Sequence, residues 1–95
     1  MILKIHKGDR TIIALVDSNL LGKIFEEKNH FLDLSSNFYN GIEVNGEKAI
    51  LAINSGDILN LVGEESVALG IKLGHISEDN VLKIKDVPYA QATLY

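Results

Sequence analysis

The chain has 95 residues, 46% of them apolar and 23% charged, with a formal net charge of −4, which describes one globular domain rather than a disordered tail. It has no cysteine, so a disulfide framework, thiolate metal ligands and a cysteine nucleophile are excluded, in keeping with a reducing, cytoplasmic setting. The longest apolar runs, Ile12 to Val16 and Ala49 to Ile53, fall far short of the roughly 20 residues of a membrane span, and no membrane is expected as a partner.

The N-terminus enters an alternating pattern at once and reads as a first strand rather than a signal peptide. Strands are predicted over about residues 2–7 and 10–16, joined at Gly8-Asp9, a pair suited to a two-residue hairpin. Asp17 or Ser18 then supplies the capping oxygen for a short helical turn through "NLLGK", which Gly22 ends. A third strand is expected at His30 to Leu34, where Phe31 and Asp33 share one face and Leu32 and Leu34 the other. Asn40-Gly41 and Asn45-Gly46 read as turns with positive φ. "EKAILAIN", Glu47 to Asn54, has helix formers, an acid at its start and Ala49, Ile50 and Ile53 at helical spacing. Next comes a buried strand at Ile58 to Val62 and a helix at Glu64 to Leu73, preferred over one long helix from Asp57 because Gly63 interrupts the pattern. Gly74 is a natural stop for that helix. "VLKIK" and "AQATLY" flank the chain's one proline, Pro88, as a last pair of strands. The sum is α+β: a single domain over residues 1–95, with an antiparallel or mixed sheet covered by two main helices.

Little in this pattern points to catalysis. His6, His30 and His75 are scattered, with no His-x-x-x-His spacing for a metal, and the bland reading of partly exposed surface histidines is the stronger one. No nucleophile elbow and no phosphate-binding Walker loop occur, and no cofactor is implied. In "NLVGEES" a strand, Gly63 and a helix start leave amides that suit an anion, but Glu64 and Glu65 already complement that helix end and repel phosphate.

The basic residues are more suggestive. Residues 1–30 carry a net charge of +1 and residues 31–95 a net of −5, too mild a division to define a nucleic-acid footprint by itself. Lys4 shares a strand face with His6, and Lys83 shares one with Lys85. If those strands adjoin, they form a basic patch fit for RNA phosphates, although lysines on a sheet more often guard an edge. Tyr89 and Tyr95 are close enough in sequence to add a stacking ring.

The order of short motifs is also informative: "LLGKIFEE", "LDLSSNFYNG", "LNLVGEESVALGIKLGHI", then "VLKIKDVPYAQATLY". It resembles, over nearly the whole chain, the archaeal family called domain of unknown function 424. That family's Gly-Lys-x-Phe, Phe-Tyr-x-Gly, Asn-x-Val-Gly and Val-Pro-His-Ala-Gln segments correspond to Gly22, Lys23 and Phe25; Phe38, Tyr39 and Gly41; Asn60, Val62 and Gly63; and Val87, Pro88, Ala90 and Gln91. Tyr89 stands where the pattern has His, and a phenol cannot replace an imidazole as a base near neutral pH. The resemblance implies a fold, an archaeal origin and a place among translation components, and it transfers no reaction.

The function expected is therefore a non-catalytic binding module that attaches to RNA or a translation-related complex. Its candidate residues are Lys4, Lys83 and Lys85, the loop Lys23, and Tyr39, Asn60, Tyr89 and Gln91 from the motif segments. The alternatives are a small-molecule binder or small enzyme with a pocket among "FYNG", "NLVG" and "VPYAQ", and a structural homodimer. Pro88 is read as a rigid turn that aims Gln91 inward across the sheet, toward Asn60 or Tyr39.

Overall fold

The computed structural model describes residues 1–94; the stacking role expected of Tyr95 lies outside the described residues. Eight strands and two helices follow one another as β1 (Ile2–His6), β2 (Ile12–Val16), β3 (Ile24–Glu27), β4 (His30–Asp33), β5 (Ile42–Glu43), α1 (Gly46–Ser55), β6 (Ile58–Val62), α2 (Glu64–Lys72), β7 (Leu82–Ile84) and β8 (Val87–Thr93). Six strands form a mixed sheet in the order β5-β1-β2-β6-β8-β7, and β3 and β4 form a separate two-stranded sheet. Only β2 and β6 are parallel neighbours, and the crossover between them carries β3, β4, β5 and α1. The fold is thus the α+β class expected, with both helices within a residue or so of their predicted ends.

The continuous apolar runs of β2 and β6 are explained by their central position, since inner strands covered on both faces need not alternate. Leu3, Ile13, Leu15, Leu59, Leu61 and Ala90 point to one face, where they pack with Ala49, Ala52 and Ile53 of α1 and Val67 of α2. Ile13, Leu15, Leu59 and Leu61 are inaccessible to solvent, and each such side chain contributes about 1.5–3 kcal/mol of transfer free energy. On the opposite face Ile2, Val16 and Val62 pack with Leu34 under the β3–β4 hairpin.

Several local expectations give way to longer-range contacts. The β1–β2 connection spans residues 7–11 rather than a two-residue turn, and its last residue is tied down by Thr11 N–H donating to Asp57 Oδ2 at 2.7 Å. β3 escapes the sequence pattern because "IFEE" carries two exposed glutamates; its pairing with β4 decides its conformation. Neither Gly41 nor Gly46 has positive φ. Asn45 instead caps α1, its Oδ1 accepting from Lys48 N–H at 3.0 Å, and Gly46 is the first helical residue. Gly41 is needed for close approach: a Cβ there would lie 1.9 Å from the Leu3 carbonyl oxygen.

The turn near the C-terminus is not at Pro88. It is Lys85-Asp86, with φ of 50° and 66°, the signature of a two-residue hairpin loop, while Pro88 lies within β8. Gly63 donates its N–H to the Pro88 carbonyl at 2.8 Å. The reciprocal ladder bond is impossible because proline has no N–H. The Gly63 carbonyl is therefore left to accept from Val67 N–H at 3.0 Å, the first turn of α2. Pro88 ends the β6–β8 ladder where the chain must leave the sheet for a helix.

Asp17 has a similar double role. Its carbonyl accepts from Leu20 N–H at 2.9 Å and opens the 3-10 turn Ser18–Leu20. The carboxylate does not cap that turn as expected. It reaches the N-terminus of α2, accepting from Glu65 N–H at 3.0 Å, Ser66 N–H at 2.9 Å and Ser66 Oγ at 2.8 Å. Gly63 leaves it room: at φ +104°, a Cβ would lie 2.2 Å from Asp17 Cγ.

Asp17→Ala removes an acceptor from three donors, two of them buried, and a denaturant melt should show a loss of about 2 kcal/mol or more. Gly63→Ala combines backbone strain with that clash and should lower stability by at least about 1–3 kcal/mol, against near-wild-type behaviour for Ala68→Ser on the exposed side of α2. Equal melting of Asp17→Ala and wild type would show that α2 holds its place without the cap.

Candidate functional site

The strand register sorts the hairpin-side face of the main sheet into rows. Ile2, Val16, Val62 and Tyr89 lie opposite one another across β1, β2, β6 and β8 and form the first row. It is roofed by residues of the β3–β4 hairpin and the loop after it, among them Phe25, Leu32, Leu34 and Tyr39. The next row is Lys4, Ala14, Asn60 and Gln91, and the one after it His6, Ile12, Ile58 and Thr93. None of these eight belongs to the roofed cluster. Gln91 and Thr93 are exposed, Lys4, His6, Ile12, Ile58 and Asn60 half-buried, and the small Ala14 between its longer neighbours buried. Half of this face is therefore covered and half is open.

The open half presents an ordered set of polar groups. Gln91 Nε2 donates to Asn60 Oδ1 at 2.5 Å, so the pair fixes itself across β6 and β8. The bond uses one donor of Gln91 and one acceptor of Asn60, leaving the Asn60 NH2 and the Gln91 carbonyl for a ligand. Beyond Lys4, His6 Nε2 lies 2.9 Å from the Phe38 carbonyl oxygen and donates to it. The two rings stack with centroids 4.4 Å apart at 12°, and Phe38 meets Tyr39 edge-to-face at 5.0 Å. Burial raises the Tyr39 phenol above its ordinary pKa, so this ring stays neutral and acts as packing.

The basic patch expected of Lys4, Lys83 and Lys85 does not form. β2, β6 and β8 separate β1 from β7, roughly 19 Å at ordinary strand spacing. Lys83 lies opposite Pro88, on the helix-covered face, whereas Lys4 is on the open one, and Lys85 is in the hairpin turn. Lys23 is exposed beside the roof, anchored by its backbone: its N–H donates to the Leu20 carbonyl at 3.0 Å and its carbonyl accepts from Leu34 N–H at 2.8 Å.

The motif segments meet, but not around one pocket. Phe25, Tyr39, Val62, Val87 and Tyr89 pack in the roofed cluster. Gln91 reaches Asn60, but it bonds the side chain rather than the backbone expected there and does so by turning outward, so the inward, buried amide is not found. A separate cleft of about 270 Å³ lies between Gly63, Glu64, Asp86 and Pro88, away from Tyr39, Asn60 and Gln91. The helix N-terminus beside it is filled by the Asp17 carboxylate rather than by its own glutamates. Sequence reading placed His6 beside Lys4 but missed its stack on Phe38, a contact between residues 32 apart that no local pattern encodes.

Among the described residues, no helix is long and apolar enough to cross a membrane. The crystal structure of an uncharacterized conserved protein from Methanopyrus kandleri is similar, with a TM-score of 0.80 and 27% sequence identity, over 98% of this chain and 90% of that one. No curated protein matches the chain. The model of the family described as protein of unknown function, DUF424, matches residues 5–94, which takes in all four motif segments. The chain therefore belongs to the DUF424 family.

Proposed function

We propose that this chain is a non-catalytic binding module whose open sheet face attaches to RNA, in a translation-related complex as the family resemblance suggests. The observation that carries this reading is the row Lys4, Asn60 and Gln91, which crosses the sheet at one level on its uncovered half. A lysine supplies sequence-independent attraction to phosphate. The amide pair offers a donor and an acceptor of the kind that reads base edges in unpaired RNA, and Phe38 on His6 is an aromatic wall for stacking. The absence of catalysis in this reading rests on the histidine bonds: His6 contacts a carbonyl and His75 Nε2 contacts Asn54 Oδ1 at 3.1 Å, neither an acid–base pair.

Lys4→Glu should weaken binding of single-stranded RNA by about tenfold or more at low salt, and that binding should fall as salt rises. Lys83→Glu and Lys85→Glu, on other surfaces, should leave the isotherm within a factor of about two. An isotherm blind to Lys4→Glu, or one lost equally with Lys83→Glu, removes this face as the RNA site. Gln91→Ala should alter RNA binding while shifting stability by no more than about 0.5 kcal/mol, because the side chain is exposed. A larger shift in its denaturant melt would make Gln91 a structural residue instead.

A further inference from the structure

β1 has an outer edge that β5 covers only in part. Val44 donates its N–H to the Met1 carbonyl at 2.9 Å, and β5 continues the pairing with Ile42 opposite Leu3. Backbone groups along a strand alternate sides, so Ile5 turns its N–H and C=O to the same edge as Met1 and Leu3. β5 does not reach it. At Gly41 the chain has turned off, its N–H returned to the Tyr39 carbonyl at 2.9 Å. Beside the open position lies a groove of about 320 Å³ walled by Leu3, Lys4, Ile5, Asn40, Gly41 and Ile42. Ile5 is 42% exposed and Ile42 67%; by register both share the Leu3 face, opposite to that of Lys4. Lys7 and Arg10 follow in the β1–β2 connection, with Asp9 as the carboxylate among them. Among the described residues the ion pair present joins the N-terminal amine to Glu43 at 2.6 Å, so Lys4, Lys7 and Arg10 have no carboxylate partner there.

We propose that this edge accepts a short extended segment of a protein partner, added to the sheet in line with β5. The segment is acidic and alternating: its main chain bonds Ile5, an apolar side chain lies over Ile5 and Ile42, and the carboxylates of the intervening positions lie on the Lys4 face. Each element of the site selects one property. The unpaired backbone selects an extended chain, the isoleucines select an apolar residue at every second position, and the cations select acid over base. Lys4 is shared with the RNA reading, but Ile5 and Ile42 lie off the open row of Lys4, Asn60 and Gln91, so variants at the two isoleucines separate this inference from RNA binding.

The test is fluorescence anisotropy with a labelled Glu-Val-Glu-Val-Glu-Val peptide, its Lys-Val counterpart, and Glu-Val peptides N-methylated on alternate residues in either register. The Glu-Val peptide should bind at least about tenfold more tightly than the Lys-Val one. N-methylation in one register should abolish binding and in the other spare it. Ile42→Ser, at an exposed position, should weaken the peptide with the thermal midpoint and RNA isotherm unchanged, and Ile5→Ser should do the same. Equal binding of both charge patterns, or indifference to N-methylation and to both serine variants, overturns the proposal. If no peptide binds and the serine variants weaken single-stranded RNA instead, the edge belongs to the RNA surface and the peptide inference fails.

Discussion

The carboxylate of Asp17 at the head of α2 ties together parts of the chain that local sequence keeps apart. Asp17 leaves the end of β2, and its backbone N–H donates to the Val62 carbonyl at 3.0 Å, extending the parallel pairing with β6 by one step. Its side chain then closes over the two amides and the hydroxyl that begin α2. A helix start buried without an acceptor is costly. Once this acceptor comes from the neighbouring strand, the direction of α2 is set relative to the sheet. Gly63 and Pro88 belong to the same arrangement, one by leaving room for the carboxylate and the other by releasing the Gly63 carbonyl to the helix.

That junction also decides which surfaces are free. With the N-terminus of α2 filled from inside, it is not an anion site, although strand, glycine and helix in that order resemble one. Both helices occupy one face of the main sheet, and the β3–β4 hairpin roofs only the first row of the other. The polar residues of the central strands fall in the next row: Lys4 in "ILKIH", Asn60 in "ILNLV", Gln91 in "YAQAT". Each is an isolated interruption of an apolar strand, and an interruption of that kind is tolerated where the face is open to water. Their alignment gives the sheet a polar strip bounded by an aromatic stack, beside an edge that β5 leaves incomplete.

What the sequence by itself determined is local. Alternation located β1, continuous β-rich apolar runs located β2 and β6, helical spacing and an acidic first turn located α1 and α2, and short motifs in order identified the family across nearly the whole chain. These signals are strong because each element's own hydrophobic period must match the face it buries. β3 was invisible for the same reason, since a strand with exposed glutamates has no apolar period of its own. The tertiary structure alone decided which strands are neighbours. Alternation tells which residues of one strand share a face, but it cannot tell that β1 and β7 lie at opposite ends of the sheet, or that Lys4 and Lys83 look out on opposite sides. Nor can it tell that Asp17 reaches a helix 48 residues on rather than its own turn. Those outcomes depend on the packing of the whole core and the satisfaction of distant buried donors, which no short window of sequence contains.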